Sequence, residues 1–341
     1  MTRLCVLAIV SSLFISCAGS QTSKKKDYAK ADVNKYMNTI SASDLKKHLY
    51  IVAGDEMQGR DTGTEGQKKA GRYLIEQYKS EGMSFPKGAK DFYQPVPAEF
   101  MQRQFSPKLG NSENIWAYIE GSEKPDEVLV ISAHYDHVGM KNGEVYNGAD
   151  DDGSGTVALL EIAQAFMQAK KDGYGPKRSI LFLHVTGEEH GLHGSRYYSE
   201  NPLFPISNTI ADLNIDMIGR RDDAHKDNGN YVYVIGSDRL STDLHNINEE
   251  ANKKYTNLNL DYTFNADNDP NQFYYRSDHY NFAKKGIPII FYFNGVHADY
   301  HKPGDTPDKI EYDLLSKRAQ LAFVTAWELA NRENRPVVDK K

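Results

Sequence analysis

The sequence predicts an α/β fold of three layers, with a mixed, mostly parallel central sheet sandwiched by helices. Three observations lead there. Nearly apolar runs of strand length, VLVISAH at 128–134, SILFLHV at 179–185 and IPIIFYF at 287–293, suit strands buried on both faces. Helical periodicity alternates with them. Acidic and histidine segments fall just after the apolar runs, where open α/β sheets place their sites.

The first residues stand apart. One early Arg3 precedes the apolar run LCVLAIVSSLFIS, and Cys17 follows, then AGSQ. The run is short for a permanent bilayer span and reads as a signal peptide. It resembles a bacterial lipoprotein signal over 1–16, cut after the small Ser16, with Cys17 lipidated. Phe14 departs from the Leu or Val usual three positions before that Cys, and a plain secretory signal is the other reading. Residues 17–33, with QTSKKKD, form a polar tether. The expectation is a lipid-anchored protein of the bacterial cell envelope, facing the periplasm or the exterior, with Cys17 as its membrane contact.

Beyond the tether, Ser41 or Ser43 caps a helix through Leu45–Ile51. Gly66–Gly82 is an amphipathic helix with Ala70, Tyr73, Leu74, Gln77 and Tyr78 on one face. Asn114–Ile119 and Glu127–His134 read as strands joined by the turn GSEKPDE. Helix follows at Gly155–Ala169, strand at Ser179–Val185, and weaker strands at Thr209–Asp216 and Tyr231–Ile235. Leu240–Lys254 is helical, Asp278–Lys285 a short helix, Ile287–Phe293 a strand and Leu314–Asn331 the closing helix. Phe85–Gly110, Gly219–Asn230 and Asn257–Gln272 read as long polar loops able to build a pocket. A length of 341 residues allows one large domain or two small ones. No repeat or linker follows residue 30, so 34–335 reads as a single domain.

A net charge of -6 gives no sign of nucleic-acid binding. Both cysteines, Cys5 and Cys17, lie in the leader region. The domain therefore has no disulfide, no catalytic thiol and no cysteine-zinc site.

The chemistry sits in five segments: SAHYDHVG, NGADDDGSG, TGEEHGLHGS, NIDMIG and DYHKPGDT. Zinc takes His with Asp or Glu. His134 ends an apolar strand, with Asp136 two residues on. Asp150, Asp151 and Asp152 sit between glycines just before a helix, whose N-terminus holds carboxylates well. Glu188 and Glu189 follow a buried strand and can point differently, one to a metal and one to a reacting water. Asp216, in LNIDMIG, would be costly to bury without a cation or strong donors. His301 is presented by the turn Lys302–Pro303–Gly304, with Asp299 and Asp305 as orienting groups. His190, His193, His279 and His297 are weaker candidates.

Taken together, HYDH, GADDDGSG, GEEHGLHGS, NIDMIG, SDHYNF and YHKPGDT make residues 45–330 resemble the M28 family of zinc-dependent peptidases, which includes bacterial leucyl-type aminopeptidases. The resemblance implies two zinc ions bridged by Asp151. One would be completed by His134 and Asp216, the other by Glu189 and His301. It also implies Glu188 as general base, Asp136 and Asp278 in support, and Tyr274, with Tyr275 beside it, as an oxyanion donor. The implied activity is that of an aminopeptidase acting on peptide substrates. The alternative is a glutaminyl cyclase-like acyltransferase with one zinc on Asp151, Glu189 and His301; those enzymes commonly have Trp where Tyr300 stands. A carboxypeptidase would need a basic pocket, for which Arg220, Arg221 and Arg276 are sources. A binding ectodomain that had lost the chemistry would not be expected to keep all five ligands and Glu188.

Overall fold

The computed structural model describes residues 28–102 and 108–340; the expected leader and the tether up to residue 27 lie outside them. The chain opens with α1 (Val33–Met37) and α2 (Ala42–Val52), then α3 (Glu65–Ser80). Ser41 rather than Ser43 caps α2, its hydroxyl accepting from the Asp44 amide at 3.1 Å. The first expected loop contains a strand, β1 (Tyr93–Val96), and a helical turn, α4 (Ala98–Met101). Then come β2 (Ser112–Ile119), β3 (Lys124–His134) and a small hairpin of β4 (Met140–Lys141) and β5 (Glu144–Val145). Next are α5 (Gly155–Lys171), β6 (Arg178–Val185), α6 (His193–Glu200), β7 (Thr209–Ile215), β8 (Tyr231–Ile235) and α7 (Thr242–Ala251). The third expected loop holds β9 (Asn259–Asp261), and α8 (His279–Ala283), β10 (Ile289–Phe293) and α9 (Tyr312–Asn331) complete the chain.

Eight strands form one sheet in the order β1-β2-β6-β3-β7-β10-β8-β9. The pairs β3/β6, β3/β7, β7/β10 and β8/β9 are parallel, and β1/β2, β2/β6 and β8/β10 antiparallel. The sheet is thus mixed and mostly parallel, as the apolar runs predicted. Although β2 and β3 are consecutive in sequence, β6 lies between them.

Period-2 alternation divides the core. Leu129, Ile131 and Ala133 of β3 and Ile180 and Phe182 of β6 join the cluster under α2, α3, α5 and α9. Val128, Val130, Leu181, Leu183 and Val185 point the other way, onto Tyr198 of α6 and Phe282 of α8. Helices on both faces explain why these strands are apolar throughout. Trp327 of α9 stacks on Tyr36 (5.7 Å between centroids) and Phe166 (5.9 Å), closing the larger layer. No helix among the described residues is long and apolar enough to cross a membrane.

This topology sets the site. Because β3, β6 and β7 are parallel, with His134 opposite Val185 and Ser132 opposite Asn214, their carboxyl ends finish side by side. His134 is the last residue of β3, Glu188 and Glu189 follow β6, and Asp216 follows β7.

Candidate metal centre

His134 and Asp216 approach Asp151 from the strand ends. The His134 Nε2 lies 3.3 Å from Asp151 Oδ1 and 3.6 Å from Asp216 Oδ1. His301 Nε2 lies 3.0 Å from Asp151 Oδ2 and 3.1 Å from Glu189 Oε2. The two oxygens of Asp151 therefore serve two groups of donors. Zinc–ligand bonds of about 2.0–2.1 Å in a tetrahedron place donor atoms roughly 3.3 Å apart, so this spacing fits the ion. The orphaned atoms agree. The His134 Nε2, Asp151 Oδ2 and Glu189 Oε1 are buried without a hydrogen-bond partner, which a protein interior tolerates only where something else pairs them.

The three aspartates have three tasks. Asp150 Oδ1 accepts from the Gly219 amide at 2.6 Å, and its other oxygen faces His297 at 3.2 Å. Asp152 Oδ1 accepts from the amides of Gly155 (2.8 Å) and Met217 (3.1 Å), tying the start of α5 to the end of β7. Asp151 is the one left to face His134, His137 and His301. Burial opposes its ionisation, but His134, His137 and His301 outweigh that and hold its carboxyl well below the usual range. Asp305 accepts from the Asp150 and Asp151 amides (3.0 and 3.1 Å), and Asp299 pairs with Arg220 (3.1 Å). Neither orients His301, whose ring instead stacks on Tyr300 at 3.9 Å.

Sequence reasoning missed His137, the second histidine of HYDH. Its Nδ1 lies 2.7 Å from Glu189 Oε1 and 3.8 Å from Asp151 Oδ2, and neither ring nitrogen has a hydrogen-bond partner. His137, Asp151 and Glu189 form one group able to hold an ion; His134, Asp151 and Asp216 form the other. Gly148 makes room for the ring. Its φ is +55°, and a Cβ there would come within 2.4 Å of the His137 Cγ. Against burial and the charge of Asp151, His137 and His301 pull the Glu189 carboxyl down to about 2.

Supporting bonds set the orientation of the ligands. His134 Nδ1 donates to the Asp136 carbonyl (3.0 Å), which leaves Nε2 to face Asp151 and Asp216. The Asp136 carboxylate accepts from Thr62 (2.9 Å) and from the Glu188 amide (3.3 Å). Ser277 donates to Asp216 Oδ2 at 2.6 Å. Asp278 accepts from Ser195, and burial pushes its carboxyl up to about 7. Arg60, another residue that sequence reasoning passed over, is fully buried and donates to the carbonyls of Val52, Tyr135, Asn147 and Gly148, all within 2.9 Å. It clamps the loops that carry His137 and Asp151.

Glu188 is half-buried and lines two cavities. Burial pushes its carboxyl well above the usual range, and Glu189, Asp216 and Asp278 add to the effect against His134. A small cavity beside Asp151 and Asp216 is walled by Met217, Phe273, Phe291, Phe293 and Tyr300. Tyr274 is not part of it. Its ring lies under the Arg239 guanidinium (4.3 Å) and packs on His279, lining a separate cavity with Asp238 and Asn265. Of the two phenols expected as oxyanion donor, Tyr274 thus stands away from the candidate ligands, whereas Tyr275 lines the second cavity with Glu188 and Glu189. Tyr300 lines both cavities beside the candidate ligands, and its pKa is raised by burial and by Asp151, Glu189, Asp216 and Glu188. The weaker histidines make other bonds: His190 to Asp61 (2.9 Å), and His279 to the Tyr274 carbonyl (2.8 Å). Of the arginines, Arg221 pairs with Glu311 (2.7 Å), whereas Arg276 lines both cavities.

Comparison with known proteins accords with this geometry. Residues 114–326 match the family model described as peptidase family M28. A Trichophyton verrucosum protein named "Probable leucine aminopeptidase" is 29% identical over 329 residues, spanning 92% of this chain and 82% of its own. The structure of a zinc aminopeptidase from Bacillus subtilis superposes with a TM-score of 0.65 at 16% identity, over 86% of this chain and 96% of that one. The Porphyromonas gingivalis glutaminyl cyclase superposes at 0.62 and 19% identity, over 84% and 97%. At such identities these two structures speak to the fold alone.

Proposed function

The chain belongs to peptidase family M28, and from that premise we propose that it is a two-zinc aminopeptidase that removes residues from free peptide N-termini. The observation that carries this reading is the division of Asp151, with one oxygen 3.3 Å from His134 and the other 3.0 Å from His301. A cyclase with a single zinc on Asp151, Glu189 and His301 would leave the buried pair His134 and Asp216 without an ion.

Zinc held by these residues would polarise the scissile carbonyl and bring the pKa of the attacking water toward neutrality. Glu188, with its raised pKa, takes the proton from that water and returns it to the leaving amine. Tyr300 keeps its proton and donates it in a hydrogen bond to the oxyanion. Met217, Phe273, Phe291 and Phe293 receive an apolar side chain of the residue being removed. Asp151, Glu188 and Asp216 surround its ammonium group. The leader supports a further proposal, attachment to the cell envelope through lipidated Cys17. It rests on the run before that Cys, and mass spectrometry of the membrane fraction would test it.

The functional test is mass spectrometry of products from peptides with free, acetylated and Gln N-termini, incubated with the zinc-loaded domain. Loss of the first residue from free N-termini alone supports the aminopeptidase. Loss of ammonia from Gln peptides without cleavage overturns it in favour of the cyclase.

A further inference from the structure

The second cavity at the site, about 450 Å³, shares Glu188, Arg276 and Tyr300 with the smaller one and passes Glu189 and His301. If the smaller cavity takes the residue to be removed, this groove takes the residues beyond the scissile bond. Leu192, Tyr275, Arg276, Tyr280, Asn281 and Lys284 line it. Among the described residues its carboxylates are Glu188 and Glu189, both belonging to the candidate metal site, and the other described residues of its wall are neutral or cationic.

Arg276 differs from the other arginines near the site. Arg220 pairs with Asp299 (3.1 Å), Arg221 with Glu311 (2.7 Å) and Arg239 with Asp267 (2.7 Å). Arg276 has no carboxylate partner among the described residues. Its guanidinium lies 4.8 Å from the Phe273 ring centroid and 3.5 Å from the Tyr300 hydroxyl, between the two cavities. A planar guanidinium held on an aromatic face is arranged to bind a carboxylate through two parallel hydrogen bonds. Lys284, over the Tyr280 ring at 4.9 Å, and Arg196, over the Phe100 ring at 4.3 Å, add positive charge to the same wall.

We propose that Arg276, aided by Lys284, forms a carboxylate-binding subsite on the leaving side of the scissile bond. The favoured substrates are then peptides that present a carboxylate immediately after that bond. It comes either from the C-terminus of a dipeptide or from an Asp or Glu side chain in a longer peptide. This inference rests on the aminopeptidase reading and narrows its substrate class.

The test compares kcat/KM within two matched pairs: Leu-Ala against Leu-Ala-amide, and Leu-Glu-Ala-amide against Leu-Gln-Ala-amide. A charge-assisted hydrogen bond corresponds to roughly a tenfold preference or more for the carboxylate member. The pair that shows it identifies the source of the carboxylate. In Arg276→Gln the ratio falls toward one, and Arg276→Lys keeps part of it, with zinc content measured in each variant. A ratio near one in both pairs for the unmodified enzyme overturns the subsite, as does a ratio that survives Arg276→Gln. Trimming of the neutral peptides separates the two levels of the account. If they are trimmed without preference, the subsite alone fails; if none of the four is trimmed, the aminopeptidase reading fails and the subsite with it.

Discussion

The backbone N–H of Glu188 donates to the carboxylate of Asp136 at 3.3 Å, joining the loop after β6 to the loop after β3. The same Asp136 accepts from His134 Nδ1 through its carbonyl oxygen. One residue thus sets the position of both a candidate metal ligand and the proposed base.

Asp136→Asn should therefore act through positioning. The amide keeps its size but offers one acceptor oxygen where the carboxylate now serves both Thr62 and Glu188. Loss of a group that orients metal ligands costs about ten- to a hundredfold in activity or metal affinity. Steady-state kinetics with parallel zinc analysis checks this, and activity equal to the unmodified enzyme would contradict it.

Glu188→Gln removes the acceptor of the water's proton and leaves all five expected metal ligands in place. The expected loss in kcat is about a hundred- to ten-thousandfold. Zinc content should be unchanged, because Glu188 belongs to neither group of metal donors. Loss of metal along with activity would make Glu188 a ligand instead.

Arg60→Met should destabilise the fold without touching substrate. Four backbone carbonyls lose their donor, and each buried acceptor left unpaired costs about 1–3 kcal/mol. A net loss of about 3 kcal/mol or more is expected, read as a lower urea midpoint. An unchanged midpoint would mean that water replaces the guanidinium at little cost.

His184 should leave a signature in the pH dependence of stability. Burial lowers its pKa to about 3, and the Tyr78 hydroxyl lies 2.6 Å from its Nε2. Below about 6.5, the unfolded imidazole binds a proton that the folded one refuses. Its contribution is complete above that pH and is lost as pH falls toward 3, at about 1.4 kcal/mol per pH unit. Denaturant melts of His184→Gln should show a shallower acid slope, smaller by one proton; identical slopes would contradict the assignment.

Much of this was legible in the sequence, and the exceptions have physical causes. His134 and Asp216 stand out because each ends an apolar strand, where a polar side chain has no packing role. The long apolar strands were visible for the same reason. The short edge strands YQPV and NLD carry no such run and form because β2 and β8 offer them open edges. Asp151 could not be separated from Asp150 and Asp152 by local pattern, since the distinction lies in distant amides at Met217 and Gly219. Arg60 is 75 residues from the Tyr135 carbonyl it holds, so nothing beside it in sequence marks it. His137 carried a usable signal, a second histidine one residue after Asp136, but its approach to Glu189 depends on the space left by Gly148.

The most direct test of the account is zinc titration into the metal-free enzyme, with bound zinc and release of an N-terminal residue followed together. The shared carboxylate predicts two zinc ions per chain, with full activity only after the second. It also predicts that Asp151→Asn loses both and that His137→Ala weakens one. One zinc per chain with full activity, and no effect of His137→Ala on its binding, would contradict the two-metal centre.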